Sequence, residues 1–281
     1  MPLRALFLVV LVALAACAGP RATAPAPPTT TPPQAPAKLS GEINVFAAAS
    51  LTEAFKEIGQ NFEKENPGTK VNFNFAGSQQ LVQQMTQGAP VDVFASAAAR
   101  NMSDALQAGE VVSGAPRPFA RNRLVVVYPK DNPRGVKDLK DLAQSGLKLV
   151  LAAKEVPVGQ YALDFLDKAA KDSAFGPDYQ DAVLKNVVSY EENVRAVLGK
   201  VLLGEVDAGI VYSTDVNADA VGKTARLDIP DALNTIASYP IAPTQRARNP
   251  ELAQRFVAYV LSSEAQTLLG RYGFIPPAEG Q

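Results

Sequence analysis

INVFAAAS (Ile43–Ser50) runs without a break into LTEAFKEIGQNFEKENPG (Leu51–Gly68). A short β-branched and aromatic run ends in three alanines and a serine, and residues spaced for a helix follow: Leu51, Ala54, Phe55, Ile58 and Phe62 share one face. The spacing predicts a strand over 43–47, a helix over 51–65 and Ser50 as the N-cap between them. At such a junction the hydroxyl and the free N–H groups of the first turn point toward the positive end of the helix dipole, where an anion is stabilised. The small side chains before Ser50 leave the backbone approachable. A serine that merely caps its own helix is the commoner case, so recurrence of the pattern decides its weight.

The pattern recurs three times. NFNFAGS (Asn72–Ser78) leads into QQLVQQM, EVPVG (Glu155–Gly159) into QYALDFLDKAAK, and VSYEE (Val188–Glu192) into NVRAVLGKVL. Strands are expected near 43–47, 70–75, 91–95, 124–128, 148–152, 186–189, 208–211 and 236–242. Helices are expected near 51–65, 79–88, 100–108, 138–144, 160–171, 191–204 and 250–272. This alternation implies an α/β fold with mostly parallel sheets and right-handed crossovers, and its length suits two such units. Ligands of open α/β sheets collect at the carboxyl ends of strands, where these helix starts lie.

Composition removes several chemistries. The chain has no histidine and a single cysteine, Cys17, which excludes the usual zinc sites, most transition-metal sites and the Ser-His-Asp arrangement. With 27 Lys and Arg against 28 Asp and Glu, and no basic cluster, nothing suggests a nucleic-acid partner.

The N-terminus reads as an export signal over 1–16. Arg4 precedes an apolar stretch, Leu6–Ala15, that is too short to span a bilayer. LAAC (Leu14–Cys17) resembles the lipobox of bacterial lipoproteins, which makes Cys17 a candidate for lipidation and membrane anchoring. An ordinary secretory signal cut near the same alanines is the alternative, and both readings export the protein. Residues 18–40 carry seven of the 22 prolines; such a segment reads as an extended tether with a reach of roughly 70 Å at about 3.1 Å per residue.

FAAASLTEAF, FAGSQQLVQQMTQGAPVDVFASA, RNRLVVVYPKDNP, VPVGQYA, EENVRAVL, GIVYSTD and RYGFIPP resemble, in order, the successive motifs of the periplasmic molybdate-binding proteins of ABC importers. The resemblance covers nearly all of 41–277. It implies the type II periplasmic-binding-protein fold: two α/β lobes, 41–122 plus 240–278 and 123–239, joined by crossings near Arg123 and Tyr239. It also implies five anion contacts. Ser50 and Ser78 would donate hydroxyl and backbone N–H, Val158 and Val194 their backbone N–H, and Tyr212 its phenol. The bland reading of the two valines is core packing. SAAAR places Ala98 where the family often has an aspartate, which removes a capping group there.

A fully deprotonated tetrahedral dianion only accepts hydrogen bonds, so a pocket made of donors suits molybdate, and tungstate with it. The implied protein is a monomeric receptor with no cofactor and no catalysis of its own, working with a membrane permease and its cytoplasmic ATPase. A receptor for another oxyanion such as sulfate is the nearest alternative. An iron-binding protein would call for adjacent tyrosines, which Tyr212 lacks in sequence. A serine hydrolase would lack a histidine base, and an adhesive lipoprotein would leave the ordered motifs unexplained.

Overall fold

The first strand, β1 (Gly41–Ala48), alternates little because both of its faces are covered: Ile43, Val45, Ala47 and Ala48 are all buried. In the computed structural model the described residues are 39–216, 220 and 222–278. The expected export signal, the lipidation candidate Cys17 and nearly all of the expected tether lie outside them. From β1 the chain continues through α1 (Thr52–Glu65), β2 (Thr69–Ala76), α2 (Ser78–Thr86), β3 (Val93–Ala95), α3 (Ala99–Gln107) and β4 (Arg117–Asn122). Next come β5 (Leu124–Pro129), β6 (Leu149–Ala152), α4 (Pro157–Lys171), α5 (Tyr179–Lys185), β7 (Val187–Glu191), α6 (Val194–Leu202), β8 (Ala208–Tyr212) and β9 (Thr224–Asp228). The described chain closes with β10 (Ala237–Pro243), α7 (Pro250–Val260) and α8 (Ser263–Arg271).

These strands form two five-stranded sheets with one topology used twice: β2-β1-β3-β10-β4 and β7-β6-β8-β5-β9. In the first, β1 pairs parallel with β2 and β3, and β10 runs antiparallel to β3 and β4. In the second, β6 pairs parallel with β7 and β8, and β5 runs antiparallel to β8 and β9. Four strands of each sheet therefore share a direction, in keeping with the expected mostly parallel α/β fold. The reversed strand in each sheet is the one that follows the chain's passage from the other sheet.

Those passages are short. The first is Arg123 alone, between β4 and β5, and the second is 229–236, with Tyr239 already inside β10. Asn234 fixes them side by side: its carboxamide accepts from the Leu124 N–H at 3.1 Å and donates to the Leu124 carbonyl at 2.9 Å and the Ile229 carbonyl at 3.1 Å. A side-chain amide thus stands in for a strand neighbour at the point where the sheets separate.

Helix α1 buries Ala54, Phe55, Ile58 and Phe62, the face read from its spacing. Phe55 and Phe62 meet Phe256 of α7 edge to face, and Phe55 also contacts Phe73 of β2 and Phe119 of β4. Burying each such ring contributes roughly 1.5–3 kcal/mol, so this aromatic packing helps to hold α1 on the sheet.

Several elements differ from expectation. Strands β4 and β9 and helix α5 add to the predicted set. The expected helix over 138–144 is a 3-10 turn, Leu139–Ala143, capped by Asp138. The expected single helix over 250–272 is two, because Ser262 opens a new one by accepting the Ala265 N–H.

Candidate functional site

The carboxyl ends of β1, β2 and β8 and the first turns of α2, α4 and α6 converge on one small cavity. It is lined by residues of both sheets, and Ser50, Ser78, Val158, Val194 and Tyr212 are all among them. All five are buried. Among the described residues no lysine, arginine, aspartate or glutamate contributes to the lining. The cavity is small, about 10 Å³, the room of roughly one water molecule.

Ser50 arrives by a different local route than its sequence predicts. The chain takes a 3-10 turn over Ala49–Leu51 before α1 begins at Thr52, so Ser50 sits inside that turn and caps nothing. Its Oγ lies 2.9 Å from the Tyr239 hydroxyl. Ser78 is the first residue of α2, after Gly77 at the N-cap. Its Oγ accepts the Ala97 N–H at 3.0 Å, which leaves its own proton for the cavity. Gly77 is needed for a close approach between the lobes: a Cβ there would meet the Glu192 carbonyl oxygen at 2.6 Å.

Val158 is the second residue of α4, after Pro157, which loses nothing at a position whose N–H has no helical partner. Gly159 lets this turn press onto the end of β6. A Cβ at that position would lie 2.1 Å from the Ala153 carbonyl oxygen and 2.5 Å from that of Ala152. Val194 opens α6 behind Asn193, whose side chain caps the helix through the Ala196 N–H. Both valines therefore stand where first-turn amides lack intrahelical acceptors, and their side chains pack in the core as the bland reading holds. Core packing does not occupy the amide, because side chain and amide of one residue point in different directions.

Tyr212 ends β8, and its hydroxyl is buried without a hydrogen-bond partner among the described residues. Burial pushes this phenol well above its ordinary value, so it remains a protonated donor. An orphaned hydroxyl facing a cavity of neutral donors marks the place where an acceptor belongs. Tyr212 does have a tyrosine beside it in space: the ring of Tyr239 lies 5.8 Å away. That neighbour was invisible in sequence, and its oxygen is engaged with Ser50, so the two phenols do not form an open pair. At Ala98 no side chain caps α3, and Ser96 Oγ takes the Ala98 N–H instead. Among the described residues no group of three metal-ligating side chains exists.

A family model described as bacterial extracellular solute-binding protein matches residues 43–275. This chain belongs to that family. It is 38% identical over 245 residues to the molybdate-binding protein ModA of Mycobacterium tuberculosis strain H37Rv, a match covering 87% of this chain and 88% of the relative. Its fold resembles the periplasmic molybdate-binding protein of Azotobacter vinelandii with a TM-score of 0.72 at 18% identity, covering 84% of this chain and all of that one. It equally resembles the sulfate-binding protein SubI of Mycobacterium tuberculosis H37Rv, with a TM-score of 0.74 at 18% identity, covering 85% and 88%. At such identities the two structures speak to the fold alone.

In this extracellular solute-binding protein the lobes also meet around the cavity rim. Gln79 and Gln80 of α2 donate to the Glu192 carbonyl and carboxylate, both at 2.9 Å. Arg195, directly after Val194, pairs with Glu53 of α1 and donates to the Ala49 carbonyl at 3.3 Å. Its Nε also lies 3.4 Å from Asp215 Oδ1. Asp215 is fully buried and accepts the Tyr212 N–H at 3.0 Å. Burial pushes its carboxyl up from 3.8 to about 6, against the opposing pull of Arg195. Sequence reading did not find Arg195, Asp215 or Tyr239 as site supports. The signal for the first two lay in the ENVR and GIVYSTD motifs, beside the nominated residues.

Proposed function

We propose that this chain is the extracytoplasmic substrate-binding component of an ABC importer for molybdate, with tungstate as a second guest. It closes two lobes over the oxyanion and hands it to a membrane permease driven by a cytoplasmic ATPase. The observation that carries this reading is the convergence of Ser50, Ser78, Val158, Val194 and Tyr212 on one cavity without a charged lining, with the Tyr212 hydroxyl left unpartnered. Hydrogen bonds to a charged acceptor contribute on the order of 1.5–3 kcal/mol each, so several neutral donors suffice to hold a dianion. Neutral donors also leave no buried cation unpaired once the guest departs.

The receptor acts as a monomer without a cofactor or chemistry of its own. Lobe 1 comprises 41–122 plus 240–278 and lobe 2 comprises 123–239. Cys17 carries a lipid, and residues 18–40 tether the lobes to the membrane; mass spectrometry of the mature chain tests that part. Thermal unfolding with molybdate, tungstate, sulfate and phosphate at equal concentration tests the binding reading. Guest at 100 times its dissociation constant adds about 2.7 kcal/mol, so a rise in midpoint with molybdate and tungstate alone is expected. A rise with sulfate instead would reassign the guest while keeping the site. No response to any of the four sinks the proposal.

A further inference from the structure

We infer that Asn122 and Tyr239, which do not line the cavity, set the direction of the Ser50 hydroxyl proton and so make Ser50 an obligatory donor to the guest. This inference rests on the oxyanion reading of the cavity. Both residues are fully buried. Asn122 ends β4, at the first passage between the sheets, and Tyr239 lies on β10, 117 residues away.

The direction of the chain of bonds follows from its fixed end. Asn122 Oδ1 accepts from the Arg123 backbone N–H at 2.9 Å and from the Ser213 hydroxyl at 3.1 Å. A backbone N–H only donates, so the oxygen of the carboxamide faces Arg123 and the NH₂ group faces the other way. There Nδ2 donates to Thr214 Oγ1 at 2.8 Å and to the Tyr239 oxygen at 3.3 Å. Burial holds the Tyr239 phenol far above its ordinary range, so it keeps one proton to donate. Among the described residues the acceptor that lies within hydrogen-bond geometry of that proton is Ser50 Oγ, at 2.9 Å, since the neighbouring Tyr212 oxygen makes no hydrogen bond. Tyr239 therefore donates to Ser50, and the Ser50 proton is turned away from Tyr239. Ser50 makes no other side-chain hydrogen bond among the described residues and lines the cavity, so its proton points at the guest.

Ser78 is fixed in the same sense by a different donor, the Ala97 N–H. Both cavity serines thus have a lone pair filled from behind. A freely rotating hydroxyl serves equally as donor or acceptor, and would receive the proton of hydrogen phosphate as readily as it would donate to molybdate. A serine whose acceptor side is occupied has less to offer that proton. The relay converts an ambivalent hydroxyl into a device that discriminates by protonation state, which shape alone cannot do for tetrahedral anions of similar size.

The test is isothermal titration of the wild-type protein, Tyr239→Phe and Asn122→Asp with molybdate, sulfate and phosphate at pH 7. Tyr239→Phe is expected to weaken molybdate about tenfold and to narrow the molybdate-to-phosphate ratio by a similar factor, because Ser50 regains the freedom to accept. Asn122→Asp is expected to reverse the relay. Its carboxylate would take the Tyr239 proton, Tyr239 would accept from Ser50, and lone pairs would face the dianion, with loss of at least about 100-fold in molybdate affinity. Adding Tyr239→Phe to Asn122→Asp should recover part of that loss. A packing role for Tyr239 would weaken all three anions in proportion, so an unchanged ratio in Tyr239→Phe overturns the relay. Should the wild-type protein bind none of the anions, the oxyanion reading itself falls, and the relay with it.

Discussion

Tyr212 and Asp215 are three residues apart and carry opposite liabilities: one is a buried donor without an acceptor, the other a buried acid whose partner is shared. Removing the Tyr212 hydroxyl should cost guest affinity and not the stability of the empty protein. Tyr212→Phe is expected to weaken molybdate about tenfold to 100-fold, corresponding to roughly 1.5–3 kcal/mol, with an unliganded melting midpoint equal to or above wild type. A marked fall in the unliganded midpoint would show that the phenol serves the fold instead. Asp215 makes a pH prediction whose sign is fixed by the direction of its shift. Its carboxyl titrates near 6 when folded and near 3.8 when unfolded. Between those values the native state holds a proton that the unfolded chain has released, so stability falls as pH rises through the window, by up to about 1.4 kcal/mol per pH unit. Asp215→Asn keeps an acceptor for the Tyr212 N–H and removes the titration. Urea unfolding at pH 4, 5, 6 and 7 should therefore show the variant gaining on wild type as pH rises, and parallel curves would refute the assignment.

At the scale of elements, the strand-to-helix junctions carry the site, and α4 is the most tightly specified of them. Gly159 lies in its first turn against the Ala152 and Ala153 carbonyls. Gly159→Ala has no room on the backbone side and should push the Val158 amide out of the cavity. Loss of molybdate binding with destabilisation of about 1–3 kcal/mol is expected, read by denaturant unfolding and titration together. Binding at wild-type strength would mean that the turn can move without disturbing the site. These junctions were legible in sequence because each depends on local signals: a β-branched run, small residues, then helical spacing. What was not legible depends on distant partners. Strand β4, RPFARN, contains a proline and two arginines and becomes a strand by pairing with β10 across a register shift at Tyr239 and Pro240 and by a bridge from Arg121 to Ile275. Helix α5 has seven residues and leans on the Leu139–Ala143 turn, whose Leu139 carbonyl accepts the Tyr179 hydroxyl. The break between α7 and α8 was readable in LSSEAQ, where Ser262 caps a new start, but the continuous apolar spacing concealed it. Ser50 shows the converse case: it lines the cavity, but it does not cap α1 as its sequence predicts, because one 3-10 turn shifts the helix start by a residue.

For the whole molecule, closure depends on contacts at the cavity rim made by Arg195, which does not itself line the cavity. Arg195 holds the second lobe to Glu53 and the Ala49 carbonyl of the first while remaining near Asp215 of its own lobe. Opening the cleft would break the first two contacts and leave the third, so the guanidinium always retains a partner and Asp215 is never left without a nearby cation. Arg195 should therefore act on the balance between open and closed forms and leave the choice of guest unchanged. A ligand that touches both lobes stabilises the closed form by its differential affinity for it, and loss of a closing contact lowers every apparent affinity by one common factor. Arg195→Ala is expected to weaken molybdate, tungstate and sulfate by the same factor, about tenfold, and to raise the radius of gyration of the unliganded protein in small-angle scattering. This separates it from the Asn122 and Tyr239 pair, whose substitution changes the ratio between anions. A change of ratio in Arg195→Ala would place the guanidinium's field at the guest and assign it to recognition instead of closure.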